Sequence, residues 1–131
     1  MPHNRLLVYR QINPQELPPE KRVLLDHPCC AVCYYDKTLG YFGAIQIWTG
    51  VAEVWTRLTE KARYHLSLIF HELPEALELF QERNGWHKMY CHCTPEDRHF
   101  AELLGFDPIA LLPNRAPDGS DYWTLDFVGT K

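Results

Sequence analysis

The sequence predicts an α+β fold, a single domain with a mixed, mostly antiparallel sheet flanked by helices. Three observations carry that prediction. Between Cys29 and Arg57, strand-like segments follow one another with only short turns between them, the pattern of an antiparallel meander. From Ala62 to Phe80, apolar residues recur every three or four positions, which is the stripe of a helix lying on a sheet. Strand character then returns at Trp86–Cys93, Phe106–Leu112 and Asp121–Val128, with one short helical stretch among them. No internal repeat or low-complexity linker interrupts the 131 residues.

The elements follow in order. Arg5 to Arg10, rich in Leu, Val and Tyr, reads as the first strand. Asn13, Pro14 and Glu16 spell a helix start: an N-cap oxygen, a proline at the first helical position and a capping-box glutamate. Pro18 and Pro19 cut that helix short, and Pro19-Glu20-Lys21-Arg22 restarts a turn toward Asp26. Cys29–Asp36 and Gly40–Trp48 pair as a hairpin about the intervening residues, and Thr49-Gly50 turns the chain into a fourth strand, Val51–Arg57. One long helix is expected from Glu60 to Arg83, kinked near Phe70 to Pro74 because proline lacks a donor and crowds the preceding turn. Gly85 closes it. Trp86–Cys93 is a strand, Pro95–Leu104 a helix capped by Thr94, and a final strand pair follows, joined by the loop Pro113–Ser120. The last hairpin, around Asp121 to Val128, is expected to leave an edge strand able to pair across a homodimer.

Composition narrows the function classes. The chain is 46% hydrophobic and 23% charged, with a formal net charge of −4 and acidic and basic residues interspersed. No basic stripe of the kind a phosphate backbone requires is present, so nucleic acid is not expected as a partner. No apolar run approaches the roughly 20 residues that span a bilayer, and Met1 to Arg10 lacks a secretion signal, so the protein is expected to stay inside the cell that makes it. Five cysteines, two adjacent at Cys29 and Cys30, read as reduced thiols. Cys29, Cys33, Cys91 and Cys93, with His87 and His92 close in sequence, suggest zinc, with Cys91, His92 and Cys93 as the narrower group, but the spacing lacks the tight turn of a zinc knuckle, and no metal is expected.

The candidate site is the turn Arg57-Leu58-Thr59-Glu60-Lys61-Ala62, between the fourth strand and the long helix. A helix N-terminus there would expose unpaired N–H groups that favour an anion. Glu60, a carboxylate, stands in that place, with Arg57, Lys61 and Arg63 nearby. A neutral alternative is a solvated helix face in which Glu60 pairs with Arg63. On the preceding strand, Glu53 is either a general base or simply a solvated carboxylate.

The order of elements, with a fourth strand leading into Arg57-x-x-Glu60-x-Ala62 and a later helix ending in Leu104-Gly105-Phe106, resembles the GNAT acetyltransferase fold. In that family the turn reads Gln/Arg-x-x-Gly-x-Gly/Ala, and its amides hold the pyrophosphate of acetyl-CoA. The resemblance therefore implies cofactor contacts at Arg57, Thr59, Lys61 and Ala62, with Glu60 in the central glycine's place. Two like charges about 5 Å apart at an effective dielectric near 20 repel by roughly 3 kcal/mol, about a hundredfold in affinity. The resemblance also implies an asparagine at the start of the later helix and a tyrosine acid near its end; here those places hold Thr94 and Ala101, and alanine has no proton to give. Glu53 is the catalytic residue if the chain is active, as a strand-four base is in some members of the family.

A nearer resemblance is to the small GNAT-like internal virion proteins of short-tailed bacteriophages. It covers roughly Val54 to Phe127, including Val54-Trp55, Arg57-Leu58, Lys61-Ala62, the Phe100 helix, Gly105, and Asp118-Gly119 before Trp123-Thr124-Leu125. It implies a phage-encoded protein with a degenerate acetyl-CoA loop and no cofactor. Such a protein would act by binding another protein of the virion or the host, in the host cytoplasm or packaged in the particle. Glu60 and Ala101 favour that reading over an enzyme, and Trp48, Trp55, Trp86, Tyr122 and Trp123 are its candidate anchors. The alternative is an active acetyl-CoA-dependent N-acetyltransferase.

Overall fold

The structure, a computed structural model, describes residues 5–129. Seven strands form one sheet: β1 (Leu7–Arg10), β2 (Cys29–Tyr34), β3 (Lys37–Trp48), β4 (Val51–Leu58), β5 (Lys88–Cys93), β6 (Phe106–Leu112) and β7 (Tyr122–Phe127). Their order is β1-β2-β3-β4-β5-β7-β6. Helix α1 (Leu66–Arg83) joins β4 to β5, and α2 (Arg98–Leu103) joins β5 to β6. The pairing of β4 with β5 is parallel, whereas β1–β2, β2–β3, β5–β7 and β6–β7 are antiparallel. Because β7 inserts between β5 and β6, the edge strand that the last hairpin leaves at this end is β6. No helix among the described residues is long and apolar enough to cross a membrane.

The chain packs as two compact units, one running through Gln46 and including Val54–Glu72, the other comprising Ile47–Glu53 and the chain from Leu73 onward. In the first unit, Asn13 forms the predicted capping box with Glu16, and Pro14–Glu16 and Pro19–Asp26 are both 3₁₀ turns. The prolines explain their brevity, since each removes a donor that a longer helix would use. Ile12, Leu17, Ala31, Cys33 and Tyr41 form the core beneath them, with Leu25, Cys29 and Trp55 packed against it. Glu16 is the polar hub: its carboxylate accepts from Arg10 Nη1 at 2.7 Å and Nη2 at 2.8 Å, from the Asn13 amide at 2.9 Å and from the Tyr41 hydroxyl at 2.9 Å. The two-pronged arginine contact is the strong form of this interaction. Glu72, buried on α1, accepts from the Leu6 and Leu7 amides at 2.9–3.0 Å and so ties the start of β1 to the helix.

Three boundaries depart from expectation. The β2–β3 turn is only Tyr35-Asp36, with Tyr35 at φ 54°, because β3 begins at Lys37 and a bulge between Val32 and Cys33 absorbs the register. The long helix starts at Leu66; Glu60–Tyr64 is a separate 3₁₀ turn. Thr59, which would have capped a helix from Glu60, instead donates its hydroxyl to the Thr38 and Leu39 carbonyls at 2.7 and 3.2 Å, leaving the first turn without a side-chain cap. Likewise Thr94 does not cap α2, which begins at Arg98; the Thr94 carbonyl accepts from the Asp97 amide at 3.1 Å and closes a preceding turn. Pro74 lies inside α1, which is a single helix from Leu66 to Arg83.

In the second unit, Ala52, Met89, Leu104, Phe106 and Leu125 are almost wholly buried, and the Phe106 and Phe127 rings pack 5.1 Å apart. Gly105 turns α2 into β6 at φ 106°, and a Cβ there would lie 2.9 Å from the Gly129 carbonyl oxygen, so glycine is required.

Arg10's hydrogen bonds, followed by the Asn13 and Tyr41 donors, hold the Glu16 carboxyl down at about 2 against an ordinary 4.5. A carboxyl depressed on folding stabilises the native state above its unfolded value and loses that contribution as pH falls through the folded one. The stability gap between the parent and Glu16→Gln, read from thermal melts, should therefore be full above about pH 5 and close between about 4.5 and 2. A gap independent of pH would refute this role.

Candidate functional site

In the first unit the turn after β4 is positioned by close backbone approach. A Cβ on Gly40 would lie 2.8 Å from the Arg57 carbonyl oxygen and 2.9 Å from the Leu58 side chain, so only glycine lets β3 run against the end of β4. The Thr59 amide then donates to the Leu39 carbonyl at 3.0 Å. Arg57, Glu60 and Lys61 are exposed. Arg63 does not pair with Glu60: its Nη2 donates to the Tyr64 hydroxyl at 2.8 Å and its guanidinium lies 4.9 Å from that ring's centre.

These positions fit an anionic ligand unevenly. Arg57 and Lys61 present free-standing positive charge. Thr59 does not fit, because its hydroxyl and amide both serve the turn, and neither does Ala62, which is 1% exposed and gives its amide to the Thr59 carbonyl at 3.1 Å. The true start of α1 lies beyond, where the Ile69 amide bonds to His65. Of the turn's amides, those of Thr59 and Ala62 are thus already taken, and the Arg57 and Lys61 side chains are what the turn adds for a pyrophosphate.

The second unit assembles a different group. Successive side chains of a strand face opposite ways, so Lys88, Tyr90 and His92 share one face of β5 while Met89, Cys91 and Cys93 share the other. The parallel register sets Glu53 opposite Tyr90, and the antiparallel register sets Thr124 opposite His92 and Asp126 opposite Tyr90. On that face His92 Nε2 lies 3.7 Å from Glu53 Oε1, and His92 Nδ1 lies 3.0 Å from Thr124 Oγ1. The His92 ring stacks on Tyr122 at 5.9 Å with a 7° interplanar angle and meets Tyr90 edge-on at 5.4 Å. Lys88 and Asp126 form an ion pair at 2.8 Å alongside.

Glu53 is 40% exposed at its side chain, open to a solute yet held at its base. The parallel register sets Tyr90 beside it. Burial foremost, then the Glu53 charge, pushes the Tyr90 phenol up, so Tyr90 keeps its proton. On the opposite face burial pushes the Cys91 thiol up to about 12, and Cys93 moves the same way. Burial raises the partly buried Cys29 and Cys30 as well, which disfavours the reactive thiolate, and no cysteine is bridged. The alternation that buries Cys91 also keeps the Cys91 and Cys93 sulfurs from joining His92 about one ion, and no metal-holding group of His, Cys, Asp or Glu occurs among the described residues.

Sequence reasoning singled out Glu53 but missed its partners Tyr90, Thr124 and Tyr122, and treated His92 only as a metal donor. Their signal was the alternation Lys88-x-Tyr90-x-His92 and Tyr122-x-Thr124-x-Asp126, polar at every second place between apolar residues. Of the other expected residues, Ala101 is buried near the end of α2. Trp86 is core, packed edge-on to Phe80 at 5.4 Å, Trp55 packs on the first unit's core, and Trp123 lies under the Arg98 guanidinium at 4.4 Å. Trp48 is 69% exposed beside half-exposed Ile47.

No family model and no curated protein sequence matches the chain. Solved structures do match it in fold. Ard1 from Thermoplasma volcanium superposes with a TM-score of 0.70 at 12% identity, covering 96% of this chain and 99% of that one. A variant of the spermidine N-acetyltransferase SpeG from Vibrio cholerae gives 0.74 at 15%, covering 95% and 94%. The IAA acetyltransferase from Bacillus cereus gives 0.72 at 9%, covering 92% and 98%. At such identities the likeness establishes the fold, which is that of the GNAT acetyltransferases.

Replacing Glu53 by Gln removes its charge but not the burial of Tyr90. The Tyr90 phenol, followed by NMR with ring-labelled tyrosine, should then titrate lower than in the parent while staying above the ordinary value of 10.0. An unchanged midpoint would mean the two side chains do not interact in solution.

Proposed function

We propose that this chain is an acetyl-CoA-dependent N-acetyltransferase in which Glu53 takes a proton from the acceptor amine. The observation that carries the proposal is the partly exposed Glu53 carboxylate on β4, opposite Tyr90 in the strand register and facing His92, within a GNAT fold. An amine reaches the site as an ammonium ion, which has no lone pair. Glu53 accepts one proton at Oε1 or Oε2, and the freed nitrogen becomes a nucleophile. Acetyl-CoA, when bound, supplies the acetyl group as a thioester. Arg57 and Lys61 offer the positive charge for its pyrophosphate, while Ala101 supplies no proton to the leaving sulfur.

Glu60 is the obstacle to this reading, and its exposure decides how large an obstacle. A carboxylate in water repels an anion about 5 Å away by about 0.8 kcal/mol, not the roughly 3 kcal/mol of a confined site. That is about fourfold in affinity rather than a hundredfold.

A second reading has its own support. The Ala62 amide closed onto Thr59 and the buried Ala101 both fit a chain that keeps the fold and has lost the chemistry. Under it the protein binds a virion or host protein, in the host cytoplasm or the particle, with exposed Ile47 and Trp48 as anchors. It needs no cofactor.

Calorimetry with acetyl-CoA separates the two readings. Micromolar binding by the parent, tightened about fourfold in Glu60→Gly, is the outcome expected of the enzyme; binding absent from the parent and created by Glu60→Gly with Ala101→Tyr is the outcome expected of the lapsed loop. With an active acceptor, Glu53→Gln should lower kcat by about 10²- to 10⁴-fold at unchanged melting temperature. Full activity in that variant would remove Glu53 from the mechanism.

A further inference from the structure

We infer that His92 is the positioning residue of Glu53, and that the Glu53 carboxylate fixes the ring proton on Nε2, with the Thr124 hydroxyl donating to Nδ1. The inference rests on the reading of Glu53 as the proton acceptor, and nothing in the turn after β4 bears on it.

The imidazole is held on every side by groups of its own face. Nε2 is 3.7 Å from Glu53 Oε1, Nδ1 is 3.0 Å from Thr124 Oγ1, Tyr122 stacks on one side of the ring, and Tyr90 meets it edge-on. A threonine hydroxyl can donate or accept, so the Thr124 contact alone leaves the tautomer open. The carboxylate decides it. With the proton on Nδ1, the Nε2 lone pair would point at an anion; with the proton on Nε2, an N–H dipole points at it and Nδ1 accepts from the Thr124 hydroxyl. The second arrangement satisfies all three side chains.

The consequence lies in the geometry of Glu53. Strand β4 fixes its backbone, but the side chain has free torsions and is 40% exposed, so burial alone does not orient it. The Nε2–H of a ring fixed by stacking and by Thr124 supplies a donor from the neighbouring strand, with Tyr90 standing opposite Glu53 in the same register. A donor held in place on one side favours one orientation of the carboxylate over the others its free torsions allow. At 3.7 Å the Nε2 contact is long for a hydrogen bond, as catalytic contacts often are before substrate binds.

Imidazole ¹⁵N correlation spectra of the purified protein, together with kinetics, test the inference. The parent should show His92 as the Nε2–H tautomer, and Thr124→Val or Glu53→Gln should shift it to a mixture. His92→Leu should lower kcat by about a hundredfold, the cost of a misplacement of about 1 Å, with KM little changed. His92→Gln should recover to within about tenfold of the parent, because its side-chain N–H again faces Glu53. Parent kcat in His92→Leu, or an Nδ1–H tautomer in the parent, would overturn the inference. If the parent acetylates no amine, the acetyltransferase reading fails, and the tautomer spectra still decide the Glu53–His92–Thr124 arrangement.

Discussion

Val51 faces Lys88, Ala52 faces Met89 and Glu53 faces Tyr90 where β4 and β5 run parallel, and the candidate chemistry depends on those three pairs. The Gly50 carbonyl begins the pairing by accepting from both the His87 and Lys88 amides, at 2.9 and 3.1 Å. A parallel pair cannot be closed by a tight turn and needs a crossover of a dozen or more residues. The 3₁₀ turn and α1 provide it. The register they deliver sets Glu53 beside Tyr90, and the antiparallel β5–β7 pairing extends the row through His92 to Thr124. A slip of one residue would turn the row to the opposite face and bury its charges.

The two faces of that part of the sheet use burial in opposite ways. Met89, Cys91 and Leu125 are buried on one, where the thiol behaves as a small apolar residue. On the other, partial exposure leaves Glu53 and His92 able to exchange protons with a solute, while Tyr90, Tyr122 and Thr124 restrict how they move. Polar groups elsewhere are committed to structure. Glu72 and Glu16 have their oxygens filled by backbone and side-chain donors, and Thr59 closes the end of β4 onto β3. That commitment leaves neither the Thr59 amide nor its hydroxyl to a ligand, whereas Arg57 and Lys61 remain exposed.

Much of the fold was legible residue by residue. The capping box at Asn13 and Glu16, the glycine closing α1 at Gly85 with φ 70°, and the strand content on either side of α1 all depend on neighbours in sequence, and all formed as expected. Expectation failed where a side chain had a competing partner far along the chain. Thr59 was read as belonging to a helix start, but carbonyls of β3 take its hydroxyl and the α-helix waits until Leu66. At Thr94 the competition is local instead: its carbonyl and hydroxyl both engage Asp97, three residues on, and α2 begins only at Arg98.

The candidate site divides along the same line. Sequence by itself determined the α+β plan, the carboxylate on β4 and the charged turn that follows it, because each is a residue identity at a position set by local periodicity; that Glu60 and Ala101 stand for a glycine and a tyrosine is what the family resemblance implies. Only the tertiary structure decided that His92 lies 3.7 Å from Glu53 and 3.0 Å from Thr124, that Tyr90 stands opposite Glu53, and that Ala62 has no amide to spare. The physical reason is that strand register brings together side chains far apart in the chain, and which donors remain free is known only when every hydrogen bond has been placed.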